Sequence, residues 1–496
     1  MRYLSFSLLF LSLSLCTGRL TAQNNAAATA AQNTAGVPDA VGSTLTLPQA
    51  VAIAIKNNLA VEQSGLSSQS YKIAFDQSWE YMLPTLNASG SQGIGFGRSI
   101  NSYTNQPITA QNDYGSLGVS SNLYLFRGLQ YQNGIKQARY AYDASRMDLQ
   151  QQKDNITLNV LLAYLSVLSD RDQLNLAVEQ SRVDSITLIR LNEQNKEGAL
   201  APVSNLTDLQ GQYAGDQVNI ATAVLTLESA KVSLFQLLNV PYNRDVEYQN
   251  TVSATNIAEY QASSDSIFQH ALQIIPAIKS AQLKVYEYQK ALAVARGAYW
   301  PSLSFGAGVS TNWSSNATQT VPSGISKVDS LGFALAGANQ YPVVSAPYDH
   351  GLSKNLSFND QFKDNRTENL GISISIPILN GFQVRNNVRN AKLTLKNYQL
   401  LNTNARYVLQ QNVELAFQNM IAAYKNYKFY MTQAAAYEES FRITNIRFTQ
   451  GVIASDVYIL AKGHSDIAEV NLALAKYIYI FRTKVLDYYQ GRLTIE

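Results

Sequence analysis

A chain of 496 residues in which 46% are apolar and only 15% are charged departs from the average soluble protein, where about 25% of residues are charged. Its formal net charge is +3, and this near balance gives no basis for predicting a nucleic-acid partner. The three histidines, His270, His350 and His464, are far apart, and no metal-spaced cluster, nucleophile motif or phosphate loop accompanies them. We therefore predict no enzyme activity, no metal and no cofactor.

The N-terminus has the pattern of a secretory signal peptide over residues 1–22. Arg2 supplies the positive end and Leu4–Leu15 the apolar core. Cys16, the one cysteine of the sequence, lies inside this segment, so the mature chain would contain no disulfide. A lipid attached to Cys16 is the alternative, although Leu15 stands where bacterial lipoprotein signals have a small residue. No later run approaches about 18 uninterrupted apolar residues, so no transmembrane helix is predicted.

Residues 23–44 are low in complexity and are predicted to form a flexible leader. The first structural repeat follows over residues 45–240, where helical spacing gives way to apolar–polar alternation and then returns. The predicted elements of this repeat are short helices, a β-hairpin at 84–126, a long helix at 128–197 and a returning helix at 203–239.

A linker at 241–263 leads to a second structural repeat over residues 264–490. Sliding the first repeat by 253 positions superposes Gly128 on Gly381 and Gly198 on Gly451 without a gap. Such fixed-offset similarity indicates a duplicated domain. Its second hairpin is longer than the first, and we predict the extra residues, from about 314 to 368, as a polar loop. The elements of the second repeat are short helices, a β-hairpin at 301–379, a long helix at 382–450 and a returning helix at 456–490.

The two long helices are too long for a compact globular domain. A helix of roughly 70 residues spans ~100 Å at about 1.5 Å per residue. Average helices have about 11 residues, so this length favours a coiled coil or a helical tube.

The hairpin strands have one apolar face and one small, polar face. This pattern fits a transmembrane β-barrel, whose strands cross the bilayer in about 9–11 tilted residues. A sheet packed on a soluble core is the alternative. Four strands are too few to close a barrel, since natural barrels have about eight or more, so strands that enter a membrane require an oligomer. Aromatic residues near strand ends are candidates for the membrane interface, with core packing as the other interpretation: Tyr114, Tyr124, Phe126, Trp300 and Trp313.

Several motifs, in duplicated order, resemble the TolC-type outer-membrane efflux protein family. They are LTLPQAVAIAIKNN near the start, YMLPTL and AYWPSL at strand entries, LYLFRGLQ and IPILNGFQ at strand-to-helix turns, and FTQGVIASDVYILAKG at the second helical turn. The resemblance covers about residues 45–490. It implies a mainly helical fold with a transmembrane β part: a homotrimer with a 12-stranded β-barrel in the lipid of the outer membrane, continued by a periplasmic α-helical barrel. A periplasmic adaptor protein and an inner-membrane transporter would dock at its tip.

The resemblance also implies site residues. In the family, acidic residues near the second tip ring the periplasmic entrance, which assigns Asp456 to an entrance that favours cations. The alternative is that Ser455 or Asp456 caps the returning helix. A second acid one turn later is typical of the family, but Ile459 is near that position here. The strand-to-helix turns at Gly128 and Gly381 are structural. Small-then-apolar tips fit an adaptor's helical hairpin, or are plain helix ends: Gly198, Ala199 and Leu200, and Gly451, Val452 and Ile453.

The predicted function is therefore a passive exit duct of a tripartite efflux or type I secretion system, opened by its partners. A structural or adaptor protein with a periplasmic coiled coil is the alternative.

Overall fold

The computed structural model describes residues 43–100, 107–109, 111–196, 203–250, 257–349 and 351–493. The predicted signal peptide, nearly all of the leader, and the first tip residues Gly198, Ala199 and Leu200 lie outside this part of the chain. The described chain divides into two compact units. The first contains residues 43–71, 142–284 and 398–493, and the second contains residues 72–141 and 285–397.

Helices make up most of the first unit and flank the strands of the second. In chain order they are α1 (Leu47–Asn57), α2 (Leu59–Glu80), α3 (Gln130–Lys196), α4 (Val203–Leu238), α5 (Ser264–Ile274), α6 (Pro276–Gly297), α7 (Phe358–Asp364), α8 (Gln383–Thr449) and α9 (Ser455–Tyr489).

The strands are, in order, β1 (Thr44–Leu45), β2 (Thr85–Gly95), β3 (Arg98–Ile100), β4 (Pro107–Thr109), β5 (Asn112–Arg127), β6 (Glu247–Tyr248), β7 (Ser302–Ser314), β8 (Thr318–Val321), β9 (Ser326–Lys327), β10 (Ser330–Ala336), β11 (Asn339–Val344), β12 (Tyr348–Asp349), β13 (Leu352–Asn355) and β14 (Thr367–Ser375).

Helix α1 shows how the sequence sets a helix start. The Thr46 side chain accepts a hydrogen bond from the Gln49 backbone N–H, while the Gln49 side chain accepts one from the Thr46 N–H. This capping box satisfies two backbone donors that the first turn leaves without partners. Pro48 in the same turn has no N–H to satisfy and a backbone angle already suited to a helix.

The core of the first unit forms where α1, α3 and α4 pack together with the linker. Leu45, Val160 and Leu234 are fully buried there. Strand β6 of the linker pairs in parallel with β1. The Tyr164 hydroxyl lies 2.9 Å from the Leu45 carbonyl oxygen and 2.8 Å from that of Gln249. The linker is thus held against the start of the first repeat.

Helix α4 differs from the sequence-based expectation in one respect. Ser204–Leu238 is long and apolar enough to cross a membrane by length and composition, the one such helix in the described ranges. Asp216 lies in this helix, buried beside Lys462 of α9. A buried carboxylate requires a cationic partner, and the partner here is on another helix. We therefore interpret α4 as a helix that packs against α9 and not as a membrane span.

The second unit is built around a four-stranded antiparallel sheet in the order β14-β7-β5-β2. Both hairpins contribute two strands, and β5 of the first repeat pairs with β7 of the second over their lengths. A bulge between Tyr124 and Phe126 interrupts the register once. The sheet therefore joins the two repeats.

The prediction of a polar loop over residues 314–368 is wrong. This segment contains strands β8 to β13, paired as β8–β13, β9–β12 and β10–β11, and the short helix α7. The alternation of Leu331, Phe333 and Leu335 with small residues is the period of a strand. This alternating run is short, and polar residues on both sides of it gave the whole segment the composition of a loop.

Candidate functional site

The outer edges of the four-stranded sheet are the first candidate site. Strands β2 and β14 each pair on one side only, and no other strand in the described part of the chain pairs with their outer edges. An unpaired strand edge presents a row of backbone donors and acceptors that can bind another strand.

The two faces of this sheet differ in chemistry. On one face, Leu117, Val119 and Leu123 are opposite Thr311, Val309 and Phe305, and the face continues through Leu370, Ile372 and Ile374 of β14. These last three side chains are 78%, 67% and 66% exposed. The other face carries small and polar residues, including Ser89, Gly118, Ser120, Ser304 and Gly306. We call them the apolar face and the small face.

The register divides the predicted interface aromatics between these faces. Trp313 is opposite Gly115, and Phe126, shifted by the bulge, is opposite Leu303, so both belong to the apolar face. Tyr114 and Tyr124 are opposite Ser314 and Ser304, on the small face.

Because side chains alternate between faces along a strand, Tyr114 and Tyr124 lie on the opposite face from Trp313. Their assignment to the membrane interface stays a prediction. Trp300 precedes β7 and is 65% exposed. The assignment of Trp300, Phe126 and Trp313 to the membrane interface stays a prediction.

The two strand-to-helix turns share one backbone geometry. Gly128 and Leu129 have φ angles of 56° and 61°, and Gly381 and Phe382 have φ angles of 60° and 61°. Left-handed backbone costs an L-residue about 1–2 kcal/mol. Glycine avoids this cost at the first position of each turn, while Leu129 and Phe382 bear it at the second. A Cβ at Gly128 would clash with the carbonyl oxygen of Gly297, whereas one at Gly381 would meet nothing within 4 Å.

At the second tip, Gly451 adopts a φ of 72° and its N–H donates to the Phe448 carbonyl oxygen at 2.9 Å. Val452 is exposed, and Ile453 packs partly against a small apolar cluster. The tip thus presents one apolar side chain to the outside. Whether it contacts an adaptor stays a prediction.

Asp456 is exposed in the first turn of α9. The alternative that Ser455 or Asp456 caps this helix is wrong, because the N-cap residue is Ala454, whose side chain makes no capping hydrogen bond. Ser455 is instead buried, where its Oγ donates to Asp208 Oδ2 at 2.8 Å. Its N–H donates to Asn205 Oδ1 at 3.3 Å. Ser455 therefore ties α9 to α4, and Asp456 faces solvent.

A buried charge cluster near this end was missed from the sequence. The Lys462 ammonium of α9 is 1% exposed and contacts three carboxylates. Its Nζ lies 2.5 Å from Asp466 Oδ2, 3.3 Å from Asp184 Oδ2 and 3.9 Å from Asp216 Oδ2. Since Asp184 is on α3 and Asp216 on α4, one side chain of α9 links three helices.

Two further hydroxyls complete this cluster. The buried Tyr458 hydroxyl donates to Asp184 Oδ1 at 3.4 Å and lies 3.3 Å from Thr187 Oγ1. Burial raises the pKa of Tyr458 and keeps it a neutral donor.

The cluster holds more negative than positive charge, because three carboxylates share one ammonium. Burial, the largest cause, raises the pKa of Asp184 against the opposing effect of Lys462, and with a smaller contribution from the neighbouring Asp216 the pKa reaches about 7. Burial lowers the pKa of Lys462, but its ion pairs, with Asp466 first, raise it overall. Lys462 therefore stays charged while Asp184 changes charge near neutral pH.

The sequence carried a faint signal of this cluster. Lys462 and Asp466 are four residues apart on one helix, the spacing of a helical ion pair. Such pairs are usually exposed, and nothing local shows that Asp184 and Asp216, far away in the chain, meet them.

Comparison with known proteins agrees with this architecture. Residues 267–480 match the family model described as outer membrane efflux protein. None of the curated proteins matches this chain in sequence.

Solved structures of outer-membrane channels share the fold. CusC is 18% identical, with a TM-score of 0.66 over 92% of this chain and 97% of its own. VceC from Vibrio cholerae is 11% identical, with a TM-score of 0.68 over 90% and 96%. The open state of the MtrE channel from Neisseria gonorrhoeae is 17% identical, with a TM-score of 0.64 over 91% and 90%. At these identities the likeness concerns the fold.

The family match is independent of these structures and covers most of the second repeat. Its description as an outer membrane efflux protein agrees with the predicted location in the outer membrane. The fold class predicted from the sequence, mainly helical with paired hairpins, is confirmed. Residues 267–480 thus match the outer membrane efflux protein family model, and the fold of the solved outer-membrane proteins extends over at least 90% of the chain.

Proposed function

We propose that this protein is the trimeric exit duct of a tripartite efflux or type I secretion system, a passive conduit opened by partner proteins. The observation that carries the proposal is the pairing of β5 with β7 across the two repeats. The last strand of one hairpin there meets the first strand of the other. Strands β14 and β2 have the same relation to each other and form the free edges of the sheet. β14 of one copy can therefore pair with β2 of the next.

Three copies joined in this way give twelve strands and leave no free edge. Closure removes the cost of unpaired backbone groups in lipid, several kcal/mol for each group. It also exceeds the roughly eight strands of the smallest natural barrels. The exposed apolar face would then contact lipid, and the small face would line the lumen.

The strand-to-helix turns support the same assembly. Gly128 fits closely against Gly297 at the end of α6, just before the strand β7 that pairs with β5. By the internal duplication, the end of α2 of a neighbouring copy would occupy the corresponding place beside Gly381. The proposal thus accounts for why two turns of the same shape have unlike surroundings.

The duplication also predicts the register between copies. Gly118 is opposite Ser310 and Ser120 is opposite Gly308 in the β5–β7 ladder. Aligning Pro301 with Pro84 transfers this register to β14 and β2, and it places Ser373 of one copy opposite Ser91 of the next.

Cysteine cross-linking tests this register. The doubly substituted Ser91→Cys/Ser373→Cys protein should form a covalent trimer on oxidation, since the mature chain is expected to contain no other cysteine. Each single substitution is the matched control and should give no cross-linked ladder. A purified protein that stays a water-soluble monomer would end the proposal.

The helical end would receive the partners. In this proposal the apolar tips at Gly451, Val452 and Ile453, and at Gly198, Ala199 and Leu200, contact a periplasmic adaptor bound to an inner-membrane transporter. Asp456, exposed beside the second tip, would place three carboxylates around the entrance and favour cations.

Opening would require α9 to move away from α3 and α4. The Lys462 cluster and the Ser455–Asp208 hydrogen bond hold α9 against these helices. We infer that the partners open the entrance by loosening these contacts, since the chain shows no nucleotide-binding motif of its own.

Susceptibility testing separates this function from a purely structural role. Deleting the gene should sensitise cells to exported compounds or stop the secretion of a protein. Expressing the Ser91→Cys/Ser373→Cys variant in the deletion strain under reducing conditions should restore the resistance or the secretion of the parent strain. Unchanged susceptibility together with unchanged secretion would contradict it. A periplasmic structural protein, the other candidate, would leave the exposed apolar face unexplained.

A further inference from the structure

Helix α7 occupies one end of the sheet and belongs to the segment that the second hairpin has in excess of the first. It begins after Ser357, whose side chain accepts from the Asp360 N–H at 3.2 Å. Gln361 attaches it to β7: its side-chain amide donates to the Ser314 carbonyl oxygen at 3.0 Å and accepts from the Ser314 N–H at 2.8 Å. The buried Gln361 therefore fixes the helix to the end of a strand.

The contacts of α7 place it on the apolar side of the sheet. Thr311 Oγ1 donates to the Phe362 carbonyl oxygen at 3.0 Å. The Phe358 ring packs edge-on against Trp313, with centroids 5.8 Å apart. Thr311 and Trp313 are both residues of the apolar face, so α7 covers the rim of that face.

The aromatic side chains of α7 are only partly covered by this packing. Phe358 and Phe362 lie one helical turn apart, with ring centroids 6.1 Å apart, and are 38% and 44% exposed. Asn359, Asp360 and Lys363 are exposed on the rest of the helix surface. A short helix with one aromatic side and one polar side suits a boundary between apolar and aqueous phases.

We propose that α7 is an interfacial anchor, in which Phe358 and Phe362 extend the aromatic rim begun by Trp313 into the headgroup layer of the outer membrane. The three rings would contact the lipid–water boundary, because they are continuous with the apolar face. The matched family model describes an outer membrane protein. The anchor rests on the proposed barrel, in which that face contacts lipid. The insertion in the second hairpin then has a function of its own: it fixes the depth of the sheet in the bilayer.

Tryptophan fluorescence in vesicles tests this anchor. Trp79→Phe and Trp300→Phe leave Trp313 as the single tryptophan of the described chain. In phosphatidylcholine vesicles brominated either near the ester end or near the methyl end of the acyl chains, Trp313 should be quenched about twofold more strongly by the shallow bromines. Interfacial groups lie about 5–10 Å into the headgroup boundary, which is the reason for this preference.

A pair of variants on α7 itself provides the matched comparison. In a background with all three tryptophans replaced by phenylalanine, the tryptophan of Phe362→Trp should show the same shallow quenching. The tryptophan of Asn359→Trp, three residues away on the polar side, should be quenched about twofold less. Oligomers that resist dissociation on gels show that each variant is folded.

The outcomes separate the anchor from the channel. One outcome is that the vesicles conduct ions while the tryptophans at positions 313 and 362 are quenched no more than the one at position 359. That result would overturn the anchor and leave the proposed channel intact. Strongest quenching by the deep bromines would overturn it as well, since the helix would then lie inside the hydrocarbon. Failure to enter vesicles at all would overturn the anchor together with the proposed channel.

Discussion

The two repeats differ sharply at one buried position of their returning helices. Leu209 of α4 and Lys462 of α9 are 253 residues apart, the offset that relates the repeats, and both are fully enclosed. Leu209 packs among apolar side chains with Leu191, Phe448 and Tyr458. Lys462 instead meets three carboxylates. Duplication thus supplied the same helical frame twice, and divergence placed an ionic contact in only one copy.

This difference suggests a division of labour between the helix pairs. An apolar contact such as that of Leu209 depends little on its exact partners, whereas a buried ion pair is strongly destabilised when one member is removed. In the proposed channel, release of the second returning helix therefore requires breaking an ionic contact that the first returning helix lacks.

Replacing Lys462 should give the largest effect of the tests that address this comparison. Lys462→Met leaves buried carboxylates without their cation, and we expect a loss of about 3–5 kcal/mol in the free energy of unfolding. Thermal unfolding of the purified oligomer measures it. Leu209→Met, the equivalent change in the other repeat, is the matched control and should cost less than about 1.5 kcal/mol.

Removing the opposing charges sharpens the same test. Lys462→Met combined with Asp184→Asn and Asp466→Asn should recover part of the lost stability, because fewer uncompensated charges stay buried. A Lys462→Met variant as stable as the parent protein would show that the cluster does not hold α9. It would then contradict the proposed energetic difference between the Lys462 and Leu209 positions.

The two glycine turns provide the next test. Gly128→Ala and Gly381→Ala each force an L-residue into left-handed backbone at about 1–2 kcal/mol. Only Gly128→Ala also collides with the Gly297 carbonyl, which adds about 1–3 kcal/mol of overpacking. In dissociated monomers Gly128→Ala should therefore unfold at the lower temperature.

The same pair of variants separates fold from assembly. In the intact oligomer, Gly381→Ala should become nearly as harmful as Gly128→Ala, since a neighbouring copy would then crowd its turn. If both variants lowered the unfolding temperature of the monomers equally, the result would contradict the closer packing at Gly128 than at Gly381.

The protonation of Asp184 gives a smaller, pH-dependent effect. Its pKa is raised from the ordinary value of 3.8 to about 7 in the folded protein, so between these values the folded state binds more protons than the unfolded state. Stability should therefore be greatest at acidic pH and decline as pH rises toward about 7, by at most about 1.4 kcal/mol per pH unit from this group.

The groups facing Asp184 are Tyr458, Lys462 and Asp216, and Asp466 contacts the same Lys462 ammonium. Unfolding followed from pH 4.5 to 8 in the Asp184→Asn variant should show a flatter profile than the parent protein. A profile of unchanged slope would assign the titration to another group.

Changing Asp456 should have the smallest effect on stability. The residue is exposed, so Asp456→Asn should alter the free energy of unfolding by no more than about 0.5 kcal/mol. In planar bilayers the same substitution should reduce the preference of the pore for cations. The equivalent residue of the first repeat is Val203, and Val203→Asn is the control that should leave selectivity unchanged. Identical selectivity in both variants would remove Asp456 from the entrance.

The features predictable from the sequence were those with a regular period or a repeated offset. Alternation in Leu370, Ile372 and Ile374 identified a strand, and the offset between Gly128 and Gly381 identified the duplication. The side of the sheet occupied by Phe126 depends on a bulge that forms only when the strands pair. The short period at Leu331–Leu335 was obscured by its polar surroundings.

The candidate site was less accessible from the sequence than the fold. Asp456 was found through a motif close to the second tip, whereas the Lys462 cluster requires residues from three helices that are separated by up to 282 positions, from Asp184 to Asp466. Its members look like ordinary charged residues on helix surfaces. Only packing shows that they are buried, and burial is what shifts the pKa of Asp184.

The Tyr164 hydroxyl has one proton but two nearby acceptors, the carbonyl oxygens of Leu45 and Gln249. At any instant the hydrogen can be fully shared with only one of them. The N-terminal strand and the connection between the repeats consequently compete for a single hydrogen atom. When either segment drifts away, the phenol can bind the other more tightly, so local loosening on one side need not spread to its neighbour.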